Sequence, residues 1–308
     1  MIDIKYSIII PHKNTANLLQ RCLNSIPERP DVQVIVVDDN SNPLIVDFEN
    51  FPGLKRQNVE VYFLKSGKGA GHARNIGLMH AKGHWLLFAD ADDYYSEGFL
   101  ETLNKYLTPD LDILYYNVFS DTTCDIHNRA LSINKLYDEY FSSKSSYINI
   151  IKFSIWAPWN KVFSHQLIKS NNIKFDEIPV GNDAFFSLLA SKFAKKVNVI
   201  NEKLYCITYQ EGSISYSTAT YERTLLYLEI NARINSFYKK NNCLPRRYRL
   251  DFLGLNYIKN LYKNYGLKKT LHCLNCIHKN TSILDLLHTL IAKKMIRQIN
   301  KYQKWIKA

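Results

Sequence analysis

The first 120 residues alternate between short apolar runs and amphipathic stretches, and this alternation restricts the chain more than any other feature. Five runs, YSIII (6–10), VQVIVV (32–37), VEVYFL (59–64), WLLFA (85–89) and DILYYN (112–117), are rich in β-branched and aromatic residues. Runs of this kind read as strands covered on both faces. Between them, residues 15–26 place Leu18, Leu19, Cys22, Leu23 and Ile26 on one helical face. Residues 96–107 open at Ser96, a good N-cap, and repeat Phe99, Leu100, Leu103 and Leu107. Strands alternating with helices imply right-handed βαβ units, and so an α/β fold with a mostly parallel central sheet flanked by helices.

Later segments carry weaker signals. Residues 121–150 are polar and rich in Ser and Asn, and read as a loop. Residues 153–175 are aromatic with a short helix signal, and a helix is expected from Asn182 to about Lys195. From about residue 221 the pattern is mainly α-helical and basic.

Charge separates the same two regions. The formal net charge is +12, yet residues 1–220 hold 22 basic against 24 acidic residues, while residues 221–308 hold 18 against four. A basic region commonly meets a polyanion: nucleic acid, an anionic membrane face or an acidic glycan. Within residues 281–308, Lys293, Arg297, Lys301 and Lys304 share one helical side opposite Met295, Ile299, Tyr302 and Ile306. That pattern fits either a packed helix with a solvated basic face or peripheral contact with an anionic membrane. A hydrophobic content of 46% argues against disorder, and no run approaches the roughly 18 apolar residues of a membrane span. YSIIIP is too short for a secretory core, so a cytoplasmic location is expected. Six cysteines form no disulfide framework. Cys273 and Cys276 make a lone C-x-x-C without a second pair, so a buried helix face is expected rather than a zinc site.

Polar residues collect where the strand candidates end. WLLFA runs into Asp90-Ala91-Asp92-Asp93, three carboxylates that repel one another unless solvent or a cation offsets them. In an extended strand end Asp90 and Asp92 share a side and suit Mg²⁺ or Mn²⁺; a solvated acidic turn is the alternative. VIVV runs into Asp38-Asp39-Asn40-Ser41, a place for a base or ribose contact or an ordinary turn. GKGAGHARNIG (67–77) carries Arg74 but fits neither a Walker loop nor a G-x-G-x-x-G pattern, and by itself reads as a flexible loop. Asp183 begins a helix, either as a positioned base or as an N-terminal helix charge.

Taken in order, these segments resemble the family 2 inverting glycosyltransferases of GT-A (Rossmann-like) fold. The matching residues are SIIIPHKN with Pro11 and Asn14, VVDDNS with Asp38 and Asp39, GHARNIGL with Arg74 and Asn75, and the D-x-D-type GHWLLFADADD. WNKVF (159–163), IKFDEIPVGNDAFF (173–186) and GSIS (212–215) follow. The resemblance covers about residues 4–216. It implies a GT-A domain over 1–216, with a nucleotide-sugar half to about 120 and an acceptor half from 121, and a helical basic region over 217–308. It further implies transfer of a hexosyl or N-acetylhexosaminyl group from a nucleotide-sugar, expected to be a UDP-sugar, to a glycan or lipid-linked saccharide, in bacterial surface polysaccharide synthesis such as capsule or lipopolysaccharide.

The resemblance also assigns roles. Asp38, Asp39, Pro11 and Asn14 would surround the nucleotide base. Gly71, Arg74, Asn75, Asp90 and Ala91 would lie along the donor. Asp92, with Asp90, would hold Mn²⁺ or Mg²⁺, and Asp183 would be the general base. Trp156, Trp159, Asn160 and Glu177 are acceptor candidates. Asn182 departs from the Glu that relatives often carry beside the base, and Thr208 and Gln210 stand where relatives often carry basic residues. Competing expectations are a sugar-nucleotide nucleotidyltransferase and a non-catalytic basic module on membrane or nucleic acid. The first lacks a glycine-rich signature after its first strand; the second leaves the clustered acids unexplained. A nucleic-acid partner is not expected.

Overall fold

The computed structural model describes residues 3–122, 128–143, 148–209, 220–243 and 255–278. The chain divides into two compact units, Met1–Ser213 and Ile214–Ala308. The first is built on an eight-stranded sheet. Its strands are β1 (Tyr6–His12), β2 (Val32–Asp38), β3 (Val59–Phe63), β4 (Trp85–Phe88), β5 (Tyr94–Tyr95), β6 (Ile113–Ser120), β7 (Lys161–Ser164) and β8 (Val197–Ile207), ordered β3-β2-β1-β4-β7-β6-β8-β5. Strands β3, β2, β1 and β4 pair in parallel, as does β6 with β8. β7 is antiparallel to both β4 and β6, and β5 is antiparallel to β8.

The apolar runs form these strands because each face of the sheet needs its own core. Side chains alternate along a strand. Ile8, Ile10, Val34, Val36 and Leu87 accordingly enter one core, while Ile9, Ile35, Val37, Leu86 and Phe88 enter the other. Helices α1 (Ala16–Asn24) and α3 (Phe99–Asn104) bury Leu19, Cys22, Leu23, Phe99, Leu100 and Leu103 against the first face. Helices α2 (Ala70–His80), α5 (Ile148–Ser154), α6 (His165–Ser170) and α7 (Ala184–Phe193) bury Ala73, Ile151, Leu167, Ile168, Phe186 and Ala190 against the second. Helix α4 (Ala130–Ser143) places Tyr137 in the second core.

Several expectations change. Residues 121–150 are no plain loop, since α4 and the start of α5 lie there; Tyr137 and Ile151 anchor them. The glycine-rich 67–77 stretch is largely helix α2, not a flexible loop. Gly69, at φ 91°, turns the chain into that helix, a conformation that favours glycine. Helix α3 is capped by Gly98 at φ 68°, not by Ser96, because two further residues are spent turning out of β5. Asp90–Asp93 is a turn, closed by Asp93 N donating to Asp90 O at 3.1 Å, so the strand-like alternation expected for Asp90 and Asp92 does not hold.

The second unit contains α8 (Tyr221–Asn241) and α9 (Leu255–His278), which bury Leu228, Ala232, Leu261 and Cys273 together. α9 kinks at Gly266, φ 75°. Cys273 is fully buried, its thiol 3.6 Å from the Tyr221 hydroxyl. Gln210, the GSIS segment and residues 281–308, with the expected membrane-contacting pattern, lie outside the described residues. Among those described, no helix is long and apolar enough to cross a membrane.

Candidate active site

Strands β1, β2 and β4 end on one edge of the sheet, the edge where open α/β sheets bind ligands. At the end of β1, buried Pro11 lies beside Val37. Next to it, His12 Nδ1 is 2.7 Å from Asp38 Oδ1, while His12 Nε2 accepts the Thr15 amide at 3.1 Å. The second bond makes Nδ1 the protonated nitrogen of a neutral ring. Asp38 also accepts the Ser41 hydroxyl at Oδ1 (2.5 Å) and the Ser41 amide at Oδ2 (2.9 Å). Burial alone would raise its pKa, but the His12 and Ser41 bonds outweigh it and hold the group below the ordinary value. Both Asp38 oxygens are occupied and the residue is 1% exposed, so it organises the loop that follows β2.

Asp39 accepts the Lys68 and Gly69 amides at 2.8 and 2.9 Å, tying the end of β2 to the start of α2. Asn14, at φ 59°, cross-links the two strand ends: its amide donates to Ser41 Oγ and its side chain accepts from Asn42 N, each at 2.8 Å.

Helix α2 supplies the central connector. Arg74 is 5% exposed, and its guanidinium donates to Asp90 Oδ1 at 2.5 Å and to Asn182 Oδ1 at 2.9 Å. One side chain thus joins the acid turn after β4 to the residue preceding Asp183. Asn75 holds the same loop by donating to Phe175 O (3.0 Å) and accepting from Phe175 N (2.9 Å). Gly71 is expected to give backbone access to a ligand. Here it lets α2 touch the loop instead: a Cβ there would sit 2.1 Å from Asp176 O.

The ligand atoms of Asp90, Asp92 and Asp93 lie within 4.8 Å of one another. Asp93 is buried and braced, accepting the Tyr205 hydroxyl at 3.0 Å and the Thr208 amide at 2.8 Å. Tyr205 Oη in turn accepts Asp90 N at 2.9 Å. The Asp92 carbonyl accepts from Arg21 and from the Thr208 hydroxyl, so the whole turn is fixed from behind by α1 and the end of β8. Burial, reinforced by Asp90, raises the Asp92 pKa; burial with Asp90 and Asp92 pushes Asp93 well up, against the Thr208 and Tyr205 bonds. Three acids held together in this turn are a candidate donor set for a hard divalent cation.

Asp183 is half-buried in the N-cap position of α7, and no side-chain capping bond is made there. Burial raises its pKa, Arg74 opposes that rise, and Asp90 adds to it. A carboxylate displaced upward and free of capping work is suited to accept a proton.

The acceptor candidates separate. Trp159, 3% exposed, stacks on Tyr205 with ring centroids 5.3 Å apart. Asn160 is fully buried and bonded to Lys161. Both belong to the core. Trp156 is half-buried, its indole donating to Phe153 O. Glu177 is exposed beside His72 and Asn75. The bracing residues Arg21, Asp93, Tyr205 and Thr208 were not assigned site roles from the sequence. Asp93 lies in the quoted acid run and Thr208 was noted only as a departure from the basic residues of relatives, whereas Arg21 carries no local signal.

The geometry describes a mixed sheet with an acid turn and a second, separate carboxylate at one edge. Residues 7–165, just over half of the chain, match Glycosyl transferase family 2, and the chain belongs to that family. Glycosyltransferase GlyA of Streptococcus pneumoniae is 24% identical over 227 residues, 70% of this chain and 32% of GlyA. The uncharacterized glycosyltransferase EpsJ of Bacillus subtilis is 26% identical over 223 residues, 70% of this chain and 64% of EpsJ. The chain therefore spans about a third of the first and just under two thirds of the second. Among solved structures, S. aureus TarS 1–349 in complex with UDP-GlcNAc superimposes with a TM-score of 0.64 at 20% identity, covering 90% of this chain and 82% of that one. The mixed α/β sheet with flanking helices is the GT-A fold of that structure.

Proposed function

We propose that this family 2 glycosyltransferase moves a hexosyl or N-acetylhexosaminyl group from a UDP-sugar to a hydroxyl of a glycan or lipid-linked saccharide, inverting the anomeric configuration. The observation that carries the reading is the Arg74 bridge. It sets a leaving-group site, the acid turn at Asp90–Asp93, against a separately held carboxylate, Asp183. Inverting displacement needs this division, because the acceptor hydroxyl must lose a proton while the nucleoside diphosphate departs elsewhere.

In this reading Asp39, beside Pro11 and Asn14, meets the nucleotide base, and residues 1–120 form the nucleotide-sugar half of a 1–216 catalytic domain. Asp92 and Asp90 would hold Mn²⁺ or Mg²⁺, which when bound offsets the charge gathering on the diphosphate. Asp90 shares one oxygen with Arg74, and Asp93 is committed to Tyr205 and Thr208. Asp183 accepts the acceptor proton. Arg74 keeps Asp183 and the donor end in fixed relation, and the acceptor approaches from the side of Trp156 and Glu177. The UDP-GlcNAc named for the TarS complex supports a UDP-sugar donor.

Thermal shift with UDP-, GDP- and CDP-sugars in the presence of Mn²⁺ identifies the donor. NMR of the product's anomeric proton then tests inversion. Retained configuration with any accepted donor contradicts the mechanism.

A further inference from the structure

The WNKVF segment leaves one residue unexplained by the proposed reaction. Lys161 is completely buried, although its side chain ends in an amine. An isolated buried ammonium is costly, so charge at this place needs a reason.

The fold brings Lys161 to the site edge. β7 runs antiparallel to β4 and β6, so its first residue arrives where β4 ends. Along β7, Lys161 and Phe163 share a face. Phe163 packs on Phe186 of α7 with ring centroids 5.3 Å apart. Tyr115, the register partner of Lys161, has its hydroxyl 2.8 Å from Ser191 Oγ of the same helix. Lys161 therefore lies beneath α7, on the side of the sheet where Asp183 begins that helix.

The amine donates to Ile155 O at 2.9 Å, Ala157 O at 2.5 Å and Asn160 Oδ1 at 2.7 Å. Three acceptors use three hydrogens, which only the ammonium possesses. Those bonds fold residues 155–160, with Trp156, around the amine. Burial pushes the Lys161 pKa down to about 7, and the Asp183 carboxylate opposes that fall. Lys161 likewise pulls Asp183 down against burial. The other groups around the pair are the Tyr115 ring, 5.6 Å from the amine, and Tyr137, which meets Asn160, with Arg74 and Asp90 on the Asp183 side.

We propose that Lys161 is a positioning residue for the transfer step: its buried ammonium holds the 155–160 strap in place and sets a positive charge beneath α7, the helix that Asp183 begins. The role rests on Asp183 being the base. It predicts that Lys161→Met lowers kcat at least about tenfold, leaves UDP affinity within about twofold, and moves the acid limb of the kcat/KM profile upward by roughly half a pH unit. A purely structural strap predicts no movement of that limb.

The direct test leaves Lys161 in place. Protein carrying ¹³C-lysine is titrated by NMR in wild type and in Asp183→Asn, following the lysine whose midpoint lies furthest below the ordinary lysine value. Loss of the carboxylate is expected to lower that midpoint. An unchanged midpoint overturns the inference even if Asp183→Asn is inactive. Full transfer by Asp183→Asn instead overturns the base assignment on which it rests. If Lys161→Met folds and keeps wild-type kcat and acid limb, the inference is also overturned.

Discussion

Replacing Gly71 by Ala tests the contact between α2 and the Asp183 loop with the smallest possible change. The added Cβ would lie 2.1 Å from Asp176 O and 3.0 Å from Asn182 Cβ, whereas real Cβ contacts essentially never fall under 3.0 Å. The obstructing atom at 2.1 Å is backbone, so no rotamer change relieves it. Helix and loop must separate by about 1 Å. Overpacking of this kind costs about 1–3 kcal/mol, and at roughly 2–4 °C per kcal/mol the melting temperature falls by about 4–8 °C for a 2 kcal/mol loss. Because Asn182 and Asp183 travel with the loop, kcat falls more than stability suggests. A 1 Å misplacement costs on the order of a hundredfold in rate. Asp39 is held from β2 as well as by the Lys68 and Gly69 amides, so UDP affinity by calorimetry is expected to fall less than kcat. Wild-type kcat and melting temperature in Gly71→Ala would refute the account, since the packing that seats Asp183 would then not exist.

Three further outcomes follow from the acid turn and its braces. Tyr205→Phe removes the donor to Asp93 and the acceptor for Asp90 N, costing about 1–3 kcal/mol by denaturant titration and weakening Mn²⁺ binding; unchanged metal affinity counts against the brace. Arg74→Met removes the cation beside Asp90 and the donor to Asn182 Oδ1, and a loss of about 2 kcal/mol is expected after allowing for the one-third exposure of Asp90, with kcat reduced further. Asp92, Asp93 and Asp183 all have raised folded-state pKa values, so their protonated forms favour the fold. Their cost to stability is absent below about pH 3.8 and grows as pH rises through the folded values. Mn²⁺ relieves it at the acid turn, so its thermal shift is larger at pH 7 than at pH 5; equal shifts contradict a site at Asp90–Asp93.

The strands and cores were legible because their signal is local. Ile8 to Ile10 and Val34 to Val37 are apolar at every position, as a doubly covered strand requires, and β1, β2 and β4 appear within about two residues of their expected limits. Helix α2 was not legible. Gly67, Gly69 and Gly71 suggest a loop, yet Gly69 serves the turn at positive φ and Gly71 serves a helix–loop contact with residues a hundred positions later. β8 was missed because Asn201, Glu202 and Lys203 interrupt its apolar pattern. The same limit applies to the site. Asp90 and Asp92 stand out as a short motif, but Arg74 reaches Asp90 and Asn182 across 16 and 108 residues, a join that no window along the chain contains. Lys161 carried no separate signal in the sequence, because its three acceptors are two main-chain carbonyls and the neighbouring Asn160.

The central claim, that Asp183 takes the acceptor proton while a separate acid turn holds the leaving group, is tested most directly by one paired measurement on Asp183→Asn. Sugar transfer and UDP affinity are recorded on the same preparation with Mn²⁺ present. Removing one general base costs on the order of 10²–10⁴ in rate, so kcat should fall by at least a hundredfold while the UDP dissociation constant stays within about twofold. Transfer at the wild-type rate, or a loss of UDP binding that matches the loss of rate, would contradict it.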